Sequence, residues 1–505
     1  MVTNVTEWLD DTAQRFGGKI AICDKEGAMT FADIRDKAFG IADEIIRMGI
    51  GHNRPVVVFL EKSAKVLISF MGIAYSRNFY SPVDIDMPDA RIEKILEILE
   101  PELVITSYAL SGQFRQIGYT GKMLIYEDVK PVSGNKAEKV KLAQKQIIDT
   151  DLLYVLFTSG STGIPKGVSI THRSVIDYVE WVTGTFGITE NDRFGNQAPF
   201  YFDNSILDIY CMLKTGASLY IIPKEMFSQP VMLLEYLKKN KIDTIFWVPS
   251  ALIMVSRLKA FRDVDLTGVL KRVLFCGEVM PNKQLNIWRK YLPDCVYANL
   301  YGPTEITDAC TYYIVDREFS DEESLPIGIP MKNTEIMILD ENNGLIREPG
   351  RAGELCVRGT SLAVGYYNNP EKTREAFVQN PLQRAYEEKI YRTGDIVKYN
   401  ERYEIIYLSR KDFQIKHLGH RIELGEIETA ASSLDEVSMC CCLYDEKKNK
   451  IVLFLEKNIS KEDLNLKLKE LIPEYMLPGK VIYIEELPLN ANGKVDRIKL
   501  KEYLS

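Results

Sequence analysis

Apolar and polar positions alternate along this chain in two rhythms. Leu152-Leu-Tyr-Val-Leu-Phe157, Arg54-Pro-Val-Val-Val-Phe-Leu60 and Thr244-Ile-Phe-Trp-Val248 are short apolar runs carrying Val, Ile, Tyr, Phe or Trp, the pattern of buried strands. Between such runs lie stretches like Val231 to Lys241, where apolar positions recur at helical spacing. Strands alternating with helices predict parallel sheet built from βα units. From about Gly350 the rhythm changes to short strand-like pieces, Gly353-Glu-Leu-Cys-Val-Arg358 and Tyr403-Glu-Ile-Ile-Tyr-Leu408, separated by Gly and charged turns, which predicts a compact β subdomain. Beyond Ser409-Arg410-Lys411-Asp412 a strand (Phe413 to Lys416), a helix (Leu424 to Leu434) and a strand (Ile451 to Leu455) predict a small α+β unit. No repeat of fixed period is visible.

A length of 505 residues implies about three domains, or two where one is a large α/β unit, and ample core. The net charge of -8 argues against a nucleic-acid-binding protein, which would show a basic stripe. Any anionic ligand must then meet local positive groups. The nine cysteines are scattered apart from Cys440, Cys441 and Cys442, and no pair has zinc-site spacing. Reduced thiols in a cytoplasm fit this usage, and the Cys440 to Cys442 run reads as a buried strand of small side chains. The amino terminus lacks a basic-then-apolar signal pattern and no apolar stretch is long enough for a membrane helix. The expectation is a soluble cytoplasmic protein.

The run that narrows the chemistry furthest follows Phe157: Thr158-Ser-Gly-Ser-Thr-Gly-Ile-Pro-Lys-Gly167. Small residues after a buried strand let backbone N-H groups and hydroxyls approach an anion, and Lys166 adds a compact charge. A flexible Ser/Gly linker is the alternative. The run is not a Walker A loop, because the Gly-Lys-Ser/Thr ending is missing. Nor is it a nucleophile elbow, because Ser159 stands two residues before Ser161 where that motif needs glycine.

This run resembles the phosphate loop of the adenylate-forming superfamily, which includes acyl-CoA synthetases, firefly luciferase and the amino-acid adenylation domains of nonribosomal peptide synthetases. The resemblance implies a large amino-terminal domain with parallel sheets, helices and a β subdomain, here residues 1–409. A small mobile α+β domain follows, residues 410–505, with Arg410 to Asp412 as pivot. An ordinary charged turn is the other reading of that stretch. ATP would be held by Thr158, Ser159, Ser161, Thr162 and Lys166, with Gly277 and Glu278 nearby. Asn299-Leu-Tyr-Gly-Pro-Thr-Glu305 matches the superfamily's second motif. It implies Asn299 on the adenine amino group, Tyr301 stacked on the ring, Thr304 on the α-phosphate and Glu305 on Mg2+, with Leu300 and Gly302 also at the ATP site. One carboxylate plus nucleotide phosphates is the usual Mg2+ arrangement. A helix-starting turn with a capping carboxylate is the alternative.

Tyr391-Arg-Thr-Gly-Asp395 resembles the superfamily's ribose motif, where an ionised carboxylate accepts two hydroxyl hydrogen bonds. By analogy Arg410 joins it, although Ser409 stands where the family usually has glycine. Gln414 to Glu428 is similar to the strand-loop-helix element facing the thioester-forming site after rotation, with Gly419 and Arg421 at its recurring positions. His417 and His420 are taken as solvent-facing turn residues rather than bases. Finally, Pro488-Leu-Asn-Ala-Asn-Gly-Lys-Val-Asp-Arg497 presents Lys494 beside a tight Asn-Gly turn, by itself an ordinary hairpin tip. In the family the matching lysine catalyses adenylation, so the implied catalytic set is Lys494, Thr158 and Glu305.

Phe202-Asp-Asn-Ser205 resembles the motif by which amino-acid adenylating enzymes pair an aspartate, here Asp203, with the substrate α-ammonium. An Asp capping the helix that begins near Ile206 is the alternative. The family's pocket positions carried over are Asp203, Asn204, Leu207, Phe246, Leu274, Cys276, Leu300, Asp308 and Ala309, with Lys494 at the carboxylate end. Leu274-Phe-Cys-Gly-Glu-Val279 is similar to the run in D-alanine:carrier-protein ligases, and Phe413 to Lys416 and Leu207 to Tyr210 also resemble them. Asp308 departs from that group, which is apolar there, and Asn204 is also more polar. If both face the pocket, a polar or cationic side chain suits them better than a methyl group. Otherwise Asp308 bonds a neighbouring hydroxyl such as that of Thr307 or Thr311.

The resemblance covers essentially the whole chain. No His-His pair, no Gly-x-Ser-x-Gly elbow and no carrier-type serine region after Arg497 occur. The expectation is a stand-alone ATP- and Mg2+-dependent amino-acid ligase, making an aminoacyl-adenylate and then a thioester on a separate carrier protein's phosphopantetheine. D-alanine or another small or polar amino acid is the expected substrate, with no nucleic acid and no membrane insertion. An acyl-CoA ligase and a catalytically silent amino-acid or nucleotide sensor are the rival readings.

Overall fold

The structure, a computed structural model, describes residues 2–160, 163–437, 439–456, 459–488 and 495–504. Two large, mostly parallel sheets form the amino-terminal body. One has seven strands, in the order Gly365–Tyr366, Lys166–Thr171, Leu152–Thr158, Phe79–Pro82, Pro55–Phe59, Leu103–Thr106, Lys122–Ile125. The other has nine, running from Ile329–Pro330 through Thr311–Ile314, Val296–Tyr301, Arg272–Phe275, Thr244–Trp247, Arg193–Asn196, Ser218–Ile221 and Ile20–Asp24 to Gly27–Thr30. Parallel strands covered on both faces read as continuous apolar runs. Pro55–Phe59 is accordingly buried along its whole length.

Helices between the sheets weld them into one core. Ala64–Tyr75 buries every residue except Lys65, as a helix apolar all round must. With His172–Phe186 and Ser205–Thr215 it joins residues of both sheets in the largest buried cluster. Within that cluster the hydroxyls of Tyr80 and Tyr210 meet at 2.8 Å, so these buried tyrosines satisfy each other.

The antiparallel pieces after Gly350 form a five-stranded sheet of Thr334–Leu339, Ala352–Gly359, Lys389–Tyr399, Phe377–Gln379 and Ile405–Arg410. Beyond it stand the hairpin Gln414–His417/His420–Glu423, the helix Leu424–Ser432, and a three-stranded sheet of Cys440–Asp445, Lys450–Glu456 and Lys480–Ile484. Cys441 and Cys442 are buried in that sheet as free thiols. The architecture is the α/β body with a small β-rich carboxy-terminal unit that the sequence pattern predicts. Among the described residues no helix is long and apolar enough to cross a membrane.

Candidate active site

The site lies at the carboxyl ends of the parallel strands, where open α/β sheets leave a crevice for ligands. Thr158 ends its strand opposite Lys166 on the antiparallel partner. Ser159 is buried, and its hydroxyl donates to the Arg421 carbonyl at 2.6 Å and accepts the Glu423 amide at 3.2 Å. Ser161 and Thr162 lie outside the described residues. The Lys166 ammonium stands 3.5 Å from Glu423. Burial and the neighbouring Arg421 lower its pKa, opposed by Glu305 and Glu423.

The strand Val296–Tyr301 delivers the second motif. At Gly302 the chain passes so close to the next turn that a Cβ would sit 2.5 Å from the Ala309 Cα, leaving room for hydrogen only. Asn299 donates its side-chain amide to the Pro326 carbonyl at 2.9 Å, which fixes its orientation. Thr304 hydrogen-bonds Asp203. Glu305 sits in a single 3-10 turn and is fully buried. It caps no helix. It accepts the Tyr366 hydroxyl at 2.7 Å and pairs with Arg421. Burial pushes its carboxyl up, but Arg421 and Lys166 outweigh this and hold it down at about 2.

Tyr301 donates its hydroxyl to Asp395, whose other oxygen accepts from Arg410 at 2.8 Å. Arg410 also grips Asp412 through two bonds of 2.6 and 2.8 Å. The predicted ribose carboxylate and its arginine are therefore adjacent, and Ser409 pairs with Ile396 without disturbing them.

The carboxy-terminal hairpin docks directly on this cleft. Gly419 has φ +81, and a Cβ there would come within 2.8 Å of Val248. Glycine meets both demands. Its amide donates to Glu278 at 2.9 Å, and Glu278 in turn accepts the Ser250 amide at 2.7 Å. Gly277, just before it, has φ +97. Arg91 and Glu426 form an almost fully buried ion pair between body and carboxy-terminal unit. The hairpin corrects the reading of His417 and His420 as solvent-facing turn residues. Both lie on the hairpin strands and are partly buried. His420 stacks on Tyr475 at 3.5 Å and meets the Phe202 ring at 4.7 Å. Burial drops its pKa to about 3. His417 meets the Tyr444 hydroxyl at 3.2 Å. Lys494 lies outside the described residues.

A cavity of about 50 Å³ has Thr158, Ser159, Phe202, Asp203, Thr304 and Arg421 among its lining residues, Asp203 alone coming from the expected amino-acid positions. The helix Ser205–Thr215 starts after Asn204 with no side-chain cap. Asp203 bonds only the adjacent Asn204 amide, at 3.0 Å, and Thr304, so it is not spent on capping. Burial raises its carboxyl, partly offset by Thr304. Phe246 and Leu274 are register partners on adjacent parallel strands, and with Leu207, Cys276, Leu300 and Ala309 they are essentially fully buried. Asp308, also buried, has φ +72. It bonds neither Thr307 nor Thr311: the Thr307 hydroxyl donates to the Ser361 carbonyl at 2.8 Å, and the Asp308 carboxylate accepts from Tyr178.

Sequence reasoning does not reach Tyr178, Tyr366 or Arg91, which carry no motif and arrive from distant elements. Among the described residues no cluster of three His, Cys, Asp or Glu side chains could hold a metal. Glu305, a single buried carboxylate, has the donor chemistry for an Mg2+ that takes its other ligands from phosphates and water, although Arg421 pairs with it here.

The chain matches the family described as AMP-binding enzyme over residues 9–367 and that described as AMP-binding enzyme C-terminal domain over residues 426–494. It is 32% identical over 498 residues to gramicidin S synthase 1 of Brevibacillus brevis, covering 98% of this chain and 44% of that protein. It is 31% identical over 512 residues to the D-alanine–D-alanyl carrier protein ligase of Bacillus cytotoxicus, covering 99% of this chain and 98% of that one. The chain thus spans less than half of the synthase and nearly all of the ligase. In fold it is similar to the Vibrio cholerae adenylation domain AlmE, solved with glycyl-adenosine-5'-phosphate, with a TM-score of 0.85, 21% identity, and coverage of 100% and 98%. With the described motif residues around one cleft and both family matches in chain order, the chain belongs to the AMP-binding, adenylate-forming enzyme family, whose members are ATP-dependent and AMP-forming.

Proposed function

We propose that this enzyme is an amino-acid ligase. The substrate carboxylate attacks the α-phosphorus of ATP, the bond to the β-phosphate oxygen breaks, and pyrophosphate leaves. The pantetheine thiol of a separate carrier protein then attacks the acyl carbon of the aminoacyl-adenylate, losing its proton as AMP departs. D-alanine or another small or polar amino acid is the substrate.

The observation that carries this reading is Asp203. It is a carboxylate on the cavity wall, beside Thr304, acted on electrostatically by Arg421 but in no ion pair among the described residues. An unpaired carboxylate in such a place is costly, and an α-ammonium answers it. A fatty or aryl acid would leave it unmatched.

The substrate carboxylate is already nucleophilic, so catalysis is positioning and charge neutralisation. Thr158, Ser159, Ser161, Thr162 and Lys166 would hold the phosphates, with Gly277 and Glu278 beside them. Asn299, Leu300, Tyr301 and Gly302 would hold the base, Thr304 the α-phosphate, and Asp395 and Arg410 the ribose. Mg2+ bound at Glu305 would supply charge neutralisation for the leaving pyrophosphate. Lys494 would reach the reacting carboxylate when the unit spanning residues 410–505 rotates. The arrangement described here, with Arg421 on Glu305, suits the thioester step instead. The similarity to a carrier protein ligase along nearly its whole length supports a carrier thiol as acceptor.

ATP–pyrophosphate exchange over a panel of D- and L-amino acids, followed by acyl transfer to holo-carrier or to CoA, tests the reading. Amino-acid-dependent exchange and transfer to the carrier are expected. Transfer to CoA alone would make it an acyl-CoA ligase, and nucleotide binding without exchange would make it a sensor.

A further inference from the structure

Lys62 starts from one large sheet and reaches into the other. It follows the strand Pro55–Phe59 of the seven-stranded sheet. Its ammonium donates to the Gln197 carbonyl at 3.0 Å and stands 5.3 Å from the centre of the buried Phe200 ring, within cation–π range. Gln197 and Phe200 lie on the segment that joins the strand Arg193–Asn196 of the nine-stranded sheet to the helix Ser205–Thr215. Further along the same segment, Tyr201, Phe202 and Asp203 line the cavity. The helix end of the segment is held locally. The Phe202 amide donates to the Pro199 carbonyl at 3.1 Å, and the Ser205 and Ile206 amides donate to the Phe202 and Asp203 carbonyls at 3.1 and 2.8 Å. At the strand end Lys62 ties the segment to the other sheet, and the Asn196 amide, donating to Asp208 at 2.9 Å, braces strand against helix. An ammonium enclosed there is costly. Desolvation lowers its pKa to about 7, opposed by Asp208. An unbranched apolar side chain would fill the same space without that penalty, so packing alone does not account for the charge.

We infer that Lys62 is a positioning residue for amino-acid activation, clamping the segment 197–203 across the two sheets so that the Asp203 carboxylate is held on the cavity wall where an α-ammonium can meet it. The inference rests on the reading of the chain as an amino-acid ligase and deepens it. Lys62 is absent from the cavity lining and acts through the segment. A charge-assisted bond depends on where its acceptor stands, and a small displacement of a substrate-holding group is felt strongly. The residues expected to hold ATP sit on other elements, so loosening this segment weakens the amino acid's hold and spares that of the nucleotide.

The test is ATP–pyrophosphate exchange by the full chain, using the amino acid that the wild type activates best from a panel of D and L forms. Lys62→Met keeps the length of the side chain and removes its charge and donors. It should raise KM for the amino acid about tenfold or more, the scale of a lost hydrogen bond from a charged group, with KM for ATP and kcat at saturating amino acid unchanged. Lys62→Arg, which keeps the charge and a donor, should restore most of the loss. Phe200→Leu, which removes the ring beneath the ammonium, should raise the same KM about threefold. A merely structural role would lower thermal stability and disturb both KM values and kcat together, without rescue by arginine. Thermal denaturation of each variant checks folding. An unchanged amino-acid KM in folded Lys62→Met, or an equal rise in KM for ATP, overturns the clamp while leaving the ligase reading intact. Should Lys62→Met fail to fold, an unchanged amino-acid KM in Phe200→Leu overturns it instead. No exchange by the wild type with any amino acid overturns both.

Discussion

The proposed nucleotide cleft and the proposed amino-acid pocket handle charge in opposite ways. Among the described residues of the cleft, charges find internal partners: Glu305 has Arg421 and Tyr366, Asp395 has Arg410 and Tyr301, and Lys166 has Glu423. Two of these partners, Arg421 and Glu423, come from the carboxy-terminal hairpin. Around the proposed pocket, among the described residues, Asp308 and the nearby Asp208 each keep a buried oxygen without a partner, and Asp203 is in no ion pair. The cleft can therefore exchange a protein partner for a phosphate or a metal at little net cost. The proposed pocket would take balancing charge from a substrate ammonium instead.

This contrast is sharpest at Asp203. Asp203→Ala should raise KM for the amino acid by roughly 10²-fold or more, from the loss of about 2–5 kcal/mol when a buried charge pair loses one partner. KM for ATP should stay put. Equal loss in both constants would place Asp203 in the cleft and break the division.

Lys494→Ala should lower pyrophosphate exchange by about 10², the scale of other removed electrostatic stabilisers, with thioester formation from supplied aminoacyl-adenylate largely retained. An unchanged exchange rate removes Lys494 from the chemistry.

Arg421→Ala should act on the other half-reaction. It leaves Glu305 buried without its main counter-charge, a change of about 3–5 kcal/mol in a buried pair, so the docked hairpin should detach. Transfer to carrier should fall about tenfold or more while exchange changes little, and limited proteolysis between the two units should speed up. Loss of exchange instead would put Arg421 in the first step.

The smallest effect concerns pH. Burial raises the Asp208 carboxyl to about 8, with the Asn196 bond and Lys62 opposing. The folded state then holds a proton that the unfolded chain releases near its ordinary value of 3.8. Stability conferred by that proton is lost as pH rises from there to about 8. Thermal denaturation of Asp208→Asn should lack this decline, so the variant gains on the wild type as pH approaches 8. Parallel profiles would show that Asp208 does not titrate in this range.

The contiguous motifs were legible because each packs its chemistry into a few neighbouring residues. Strand, small-residue loop and lysine at 152–167 could be read directly, as could the alternation that predicts parallel sheet. The pocket was only partly legible. Asp203 stood out beside its motif, yet whether it capped a helix depended on where the helix began, one residue after Asn204. For Asp308 the neighbouring threonines were the visible partners, and the actual one, Tyr178, lies 130 positions away. The histidines of the hairpin looked solvated because a local turn reveals nothing about Tyr475 or Phe202 arriving against it.

Periodicity and short motifs thus set the element types and the layered α/β plan, since those depend on interactions between near neighbours in the chain. Folding in three dimensions settled which charges are neutralised and which are left waiting. Desolvation and ion pairing depend on distance in space, and Arg421 beside Glu305 or Tyr178 beside Asp308 are meetings no local pattern encodes.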